Sequence, residues 1–387
     1  MSKVFIPKEI HAGETRVAGT PETAARLIKA GLEVLVESGA GGGSYIDDEA
    51  YAAAGAKIVA SAAEGYGEAD IVFKVQAPEP RADGGHELDL MNKGAVVVAF
   101  FVPQADLDTV KRMVEAGITF LSMNLVPRIS RAQSMDALSS QANIAGYKAV
   151  LLAAAALPKY FPLLMTAAGT VKPAKVVIMG AGVAGLQAIA TAKRLGAQVW
   201  ATDVRLAVKE QVESLGARFI DVPGMEDLED EKGYAKEATP EFLERQRKIV
   251  GDHVAESDVV ITTAQIPGRK APLLIPSALV DRMQKGAVIV DLAAEQGGNC
   301  EDTRAGETVN KNGVQIIGPV NVPASMPVHA SDLYARNVAN LVLPMIKEGD
   351  VHVDFEDEVV AGACVTHGGD IKHGPTAKLL SGEGATS

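Results

Sequence analysis

The run Val176-Val177-Ile178-Met179-Gly180-Ala181-Gly182-Val183-Ala184-Gly185 (VVIMGAGVAG) joins an apolar stretch to the pattern G-x-G-x-x-G, and a helical run continues from it to Leu195. Glycines are common, so the pattern carries weight only through its surroundings, and here those are complete. An apolar strand precedes it, a helix follows, and Asp203 closes the next strand at residues 198–202. In such a turn Gly180 supplies the tight bend, Gly182 lets a pyrophosphate reach the backbone, and Gly185 lets the helix pack closely on the strand. Val183 and Ala184 open that helix, whose N-terminus faces the phosphate charge. Asp203 stands about twenty residues beyond Gly180, the spacing of an acid that accepts hydrogen bonds from ribose hydroxyls and repels a 2′-phosphate. The expectation is NAD(H) rather than NADP(H). Arg205 pulls the other way, because an arginine there could accommodate that phosphate.

Outward from this motif, residues 176–179, 198–202, 259–262 and 287–291 form one series of strands alternating with helices. Residues 221–239 interrupt it as a long acidic loop containing Gly224 and Gly233, of a length that is usually functional or disordered. An earlier series occupies the first 125 or so residues, with strands expected at 3–7, 33–37, 71–76, 95–101 and 119–123. Thr20-Pro21-Glu22 reads as a helix start, with Thr as N-cap and Pro in the first turn. Strands alternating with helices imply parallel sheets. The expected architecture is therefore α/β: two Rossmann-like parallel-sheet domains joined by long helices, with an NAD(H) cleft between them. The expected division is 1–127 with 347–387 as the N-terminal domain, 128–157 and 328–346 as connecting helices, and 158–327 as the NAD(H)-binding domain.

At 387 residues the chain is long enough for two cores. Its net charge of -12 argues against nucleic acid or an anionic lipid surface as a general partner, since phosphate would repel it. Cys300 and Cys364 lie far apart without metal-ligand spacing, which points to a reducing compartment, no disulfide framework and no metal site. Residues 1–14 show no apolar core of a secretory signal, and no apolar run reaches the roughly 18–20 residues of a membrane span.

A second informative segment runs from Arg128 through Ile129, Ser130, Gln133, Asp136 and Ser139 to Gln141. Gln133, Asp136, Ser139 or Ser140, and Asn143 recur at steps of three to four and would share one face of a helix. A solvated face is the plain alternative. Its place between the two lobes, where cofactor clefts form, and its lack of Glu/Lys character point instead to a face that holds the nicotinamide.

These two motifs together resemble the alanine dehydrogenase and nicotinamide-nucleotide transhydrogenase superfamily, most closely the NAD(H)-binding subunit of the three-subunit bacterial transhydrogenases. The resemblance covers essentially the whole chain and is most specific at residues 127–147, 165–173 (MTAAGTVKP), 180–194, 201–205 and 291–299 (DLAAEQGGN). It implies that Arg128, Gln133 and Asp136 contact the nicotinamide and its ribose, that Ser139 helps hold the carboxamide, and that Ile129 and Ser130 lie beside them. It further implies nucleotide contacts at Val183, Asp203, Val204, Arg205, Gln246 and Gln265, and a mobile loop over the nucleotide at Gly233 and Tyr234. The relatives carry leucine where Gln265 stands.

The superfamily holds two chemistries. Alanine dehydrogenase moves a proton as well as a hydride and needs an acid/base group, a histidine in that branch, after the strand matching residues 95–101. Here the neighbourhood reads Phe100-Phe101-Val102-Pro103-Gln104, without one. Glu295 stands near the position of that branch's aspartate. Arg16 and Lys74 match its carboxylate-holding pair, but transhydrogenase subunits share them. Direct hydride transfer between two nicotinamides needs orientation rather than a protein proton. The expected activity is therefore that of a proton-translocating NAD(P)+ transhydrogenase subunit, with alanine dehydrogenase and a non-catalytic NAD(H)-responsive regulator as the alternatives. The resemblance implies a homodimer on the cytoplasmic face of the membrane. Its partners would be a membrane-spanning proton-channel subunit and a separate NADP(H)-binding subunit, with no nucleic acid.

Overall fold

The computed structural model describes residues 1–223, 240–266 and 268–381, with the side chains of 240–243 and 246 outside that description. The chain divides into two compact units, Met1–Gln141 with Pro323–Ser387, and Ala142–Val322. The first division falls inside the helix Ala137–Ala156.

In the first unit the parallel strands Lys3–Ile6, Glu33–Glu37, Lys57–Val59, Ile71–Phe73, Val96–Ala99 and Thr119–Ser122 lie in the doubly wound order third, second, first, fourth, fifth, sixth. Cys364–His367 then pairs antiparallel with Thr119–Ser122, and Asp370–Ile371 completes an eight-stranded sheet. Side chains alternate strictly between the faces. Val4, Ile6, Val34, Val36, Ile71, Phe73, Val96 and Val98 enter one core, and Phe5, Leu35, Val72, Val97 and Phe120 the other. A sheet covered on both faces needs apolar residues at every position, which is why these strands read as unbroken apolar runs. The helix Pro21–Lys29 starts as its sequence predicts, with Thr20 as N-cap and Pro21 in the first turn.

The second unit repeats the plan. Lys175–Met179 is its central strand, flanked by Gln198–Thr202 on one side and Val259–Thr262 on the other, all parallel. Arg218–Phe219 extends the first flank, and Val288–Asp291, Val314–Ile317 and the antiparallel edge Thr308–Lys311 extend the second. The strand order reverses between Lys175–Met179 and Val259–Thr262, the place where doubly wound sheets bind ligands beyond the carboxyl ends of their strands. Among the described residues no helix is long and apolar enough to cross a membrane. Both cysteines are free and buried; burial pushes the Cys300 thiol up to about 11 and the Cys364 thiol up to about 12, so both pack as small apolar groups.

Candidate nucleotide site

The glycine motif takes up the geometry its spacing predicts. Gly180 follows Lys175–Met179 with φ +100°, a left-handed conformation that favours glycine. A Cβ on Gly185 would lie 1.8 Å from the Gly180 carbonyl oxygen, so only glycine lets the helix Val183–Arg194 approach the strand end. At Gly182 the situation is reversed: a Cβ would meet only Arg205 Nη2, at 4.0 Å, which leaves space above the turn. Gly182 is the N-cap and no side chain caps the helix start. Its first-turn N–H groups and dipole thus present partial positive charge to that space, a cradle that fits a pyrophosphate. The buried Thr202 hydroxyl, at the end of the neighbouring strand, has no hydrogen-bond partner among the described residues. Val183 is an exposed apolar residue at the mouth of the turn.

Asp203 ties this turn to the second strand. Its Oδ2 accepts from the Ala181 N–H at 2.7 Å and from Arg205 Nη2 at 2.9 Å, and its Oδ1 accepts from the Arg205 N–H and Nε, both at 2.9 Å. Burial opposes the charge, but the Arg205 guanidinium and the two backbone N–H groups outweigh it and hold the carboxyl below its usual value. Val204 lies between the two partners. Arg205 is thereby drawn against a carboxylate.

On the other side of the switch point, Thr263 Oγ1 donates to the Gly180 carbonyl at 3.0 Å. Gln265 is exposed and its Nε2 donates to the Leu292 carbonyl at 2.8 Å. Asn299 fixes this loop, accepting from the Ala264 N–H at 3.1 Å and donating to the Ala264 and Pro272 carbonyls at 2.8 Å each. The fully buried Asp291 in turn receives the Thr262 and Thr303 hydroxyls and the N–H groups of Ala293, Asn299 and Cys300. Sequence reasoning missed the roles of Thr263, Asn299 and Asp291. An aspartate closing a second VIVD-type strand, as Asp203 closes its own, was the available signal. Gln246 sits on the helix Pro240–Ala255 with its side chain outside the described residues, as are Gly233 and Tyr234 altogether.

The second informative segment lies in the first unit, and here the expected geometry is corrected. Ser130–Met135 is a 3-10 turn, Asp136 breaks the chain with φ -74° and ψ 86°, and the α-helix begins only at Ala137. Gln133, Asp136, Ser139 and Asn143 therefore do not share one helical face. The reason is local: the Asp136 carboxylate accepts the Ser139 N–H at 2.9 Å and the Ser139 hydroxyl at 2.5 Å, capping a new helix instead of continuing the old turn. The break still groups Asp136 with Ser139, and places both next to a turn whose Arg128, Ser130 and Gln133 are exposed and whose Ile129 is half-buried. Asn143 points elsewhere, donating to Gln187 Oε1 at 3.3 Å.

Arg16 and Lys74 are buried and spoken for. Arg16 Nε and Nη2 pair with Glu14 at 2.8 and 2.7 Å and Nη1 donates to Gln141 Oε1 at 2.9 Å. Lys74 Nζ reaches Glu87 Oε1 at 2.8 Å and Glu9 Oε2 at 3.2 Å.

A doubly wound unit with an uncapped helix over an open glycine turn, and an acid at the end of the next strand, defines an α/β protein of the dinucleotide-binding class. Comparison with known proteins gives the family. Residues 5–145 match "Alanine dehydrogenase/PNT, N-terminal domain" and residues 149–374 match "Alanine dehydrogenase/PNT, C-terminal domain". The chain is 48% identical over 387 residues to an NAD(P) transhydrogenase subunit alpha polypeptide of Rhodospirillum rubrum, covering 99% of this chain and 100% of that one. The crystal structure of transhydrogenase from Sinorhizobium meliloti superposes with a TM-score of 0.86 at 46% identity, covering 95% of this chain and 99% of that one. The alanine dehydrogenase of Bacillus subtilis is 29% identical, over 98% of this chain and 95% of its own. The chain belongs to the alanine dehydrogenase/PNT family, and these identities put it on the transhydrogenase side of it.

Proposed function

We propose that this chain is the NAD(H)-holding subunit of a proton-translocating transhydrogenase, and that NADP(H) is held by a separate partner. The observation that carries the NAD(H) assignment is the Asp203–Arg205 pairing beside the glycine turn. A ribose 2′-phosphate would meet the Asp203 carboxylate, and the arginine suited to bind it is already matched to that carboxylate. Gly180, Gly182, Val183, Ala184 and Gly185 hold the pyrophosphate, and Asp203, Val204 and Arg205 the adenosine ribose. Gln246, Gln265, Gly233 and Tyr234 are further nucleotide contacts.

Arg128, Ile129, Ser130, Gln133, Asp136 and Ser139 hold the nicotinamide end, with Arg128, Gln133, Asp136 and Ser139 acting in transfer by fixing the ring's position. When bound, NADH supplies a hydride to NADP+ on the partner, and no protein proton is required. The chain's contribution is orientation, worth several orders of magnitude in rate when the reacting atoms are well placed. The absence of histidine from the stretch Phe100–Gln104 and the internal pairing of Arg16 and Lys74 favour this reading over an amino-acid dehydrogenase. The working assembly is a homodimer on the cytoplasmic face of the membrane, bound to a membrane-spanning proton-channel subunit and the NADP(H)-binding subunit.

Reconstitution tests this. The purified chain is added to membranes that carry the other transhydrogenase subunits but lack this one, and reduction of an NAD analogue by NADPH is followed. Activity that depends on the added chain is expected. Asp136→Asn is expected to lower transfer by about 10²-fold with a smaller loss of NADH affinity, as removal of an interaction made mainly in the transition state does. A chain that binds NADH but restores nothing, and that turns over L-alanine, would reverse the assignment.

A further inference from the structure

The break at Asp136 raises a mechanical question. A 3-10 turn and an α-helix meeting at one residue form a hinge unless something outside the segment fixes their angle. Asn337, on the helix Pro327–Val342 of the same unit, reaches both sides of it. Its Nδ2 donates to the Ser134 carbonyl at 2.9 Å, before the break, and its Oδ1 accepts from the Ser140 hydroxyl at 2.8 Å, after it. The side chain is buried, so neither bond competes with bulk water. Asn340, one turn on, donates to the same Ser134 carbonyl at 3.1 Å and is itself held by Arg26 Nη2 at 2.8 Å. The supporting helix is rigid, since Tyr334, Val338, Leu341 and Val342 lie in the core that also takes Ala132, Met135 and Ala137.

We infer that Asn337 is a positioning residue for hydride transfer: by stapling Ser134 to Ser140 across the break, it sets the orientation of Arg128 and Gln133 relative to Asp136 and Ser139. The inference rests on the proposed reading of those four residues. An amide is suited to the task because it donates from one end and accepts at the other. Aspartate, nearly the same shape, keeps the acceptor for Ser140 and sets an oxygen against the Ser134 carbonyl. Misplacement of about 1 Å suffices to cost transfer about 10²-fold, while binding energy spread over a whole dinucleotide changes far less.

The test uses the full chain carrying Asn337→Asp, reconstituted with its membrane subunits. Asn337→Asp is expected to melt near the wild type, to bind NADH within about threefold of it, and to transfer hydride at least about tenfold more slowly at saturating nucleotide. Wild-type transfer would overturn the inference. So would affinity and rate falling in proportion with the melting temperature, which marks a merely structural residue. Ser140→Ala removes the other bond of the staple and decides the matter if Asn337→Asp does not fold; the same split at smaller amplitude is expected, and unchanged transfer overturns the inference. Asp136→Asn is measured in parallel. If it slows transfer while the staple variants do not, the positioning role alone fails. If it too is without effect, the reading of the nicotinamide residues fails.

Discussion

Asp203 illustrates how one side chain can carry both structure and selectivity. Its carboxylate holds the Ala181 N–H in the glycine turn and the Arg205 guanidinium at once. Asp203→Asn removes the charge that repels a 2′-phosphate and loosens the arginine that would welcome one. NADH affinity of the isolated chain is expected to fall about tenfold, or roughly 1.4 kcal/mol, while NADPH affinity rises. Fluorescence titration with the two nucleotides checks this. Unchanged discrimination would mean that selectivity resides outside Asp203.

Among the elements, the helix Ala137–Ala156 is constrained by a single glycine. A Cβ on Gly146 would lie 2.0 Å from the carbonyl oxygen of Ala184, the second residue of the glycine-turn helix, and that atom is backbone and cannot rotate away. Glycine inside a helix ordinarily costs about 1 kcal/mol relative to alanine. Gly146→Ala should therefore stabilise an isolated helix, yet it is expected to destabilise this protein by about 1–3 kcal/mol through overpacking. Thermal unfolding measures the sign directly. A higher melting temperature would show that the two helices can separate at little cost.

For the whole molecule, the buried charges of the first unit matter most, because they join segments distant in the chain. Glu14 meets Arg16 and Gln76, and Arg16 meets Gln141. Burial opposes Glu14's ionisation, but the Arg16 guanidinium, Gln76 and a backbone N–H lower its carboxyl to about 2. A carboxyl lowered on folding stabilises above its unfolded value, and that stability drains away as the pH falls through the folded value. Glu14→Gln is expected to cost about 3 kcal/mol at pH 7, a cost that narrows as the pH drops from about 5 towards 2. Denaturant unfolding of both proteins across that range tests it; a difference that does not vary with pH would show that the charge of Glu14 is not what stabilises. Glu9 has the opposite sign, since burial raises its carboxyl despite Lys74, so the comparison must be made at Glu14 alone.

The sequence by itself determined what depends on short-range physics. Apolar runs marked strands buried on both faces, Thr20-Pro21 marked a helix start, and G-x-G-x-x-G after an apolar strand marked a turn that only glycine can make. Period and composition could not determine what long-range contacts decide. Lys57–Val59 is too short to stand out, and Cys364–His367 becomes a strand only because Thr119–Ser122 offers it an edge. The nicotinamide segment was legible as a set of residues but not as a shape. Spacing by three and four suggested one helical face, and nothing local revealed that Asp136 would cap a new helix or that Asn337, some two hundred residues away, would staple the break. Tertiary structure decided that geometry because a side chain's hydrogen-bond partner is selected by proximity in the folded chain, which sequence spacing does not encode.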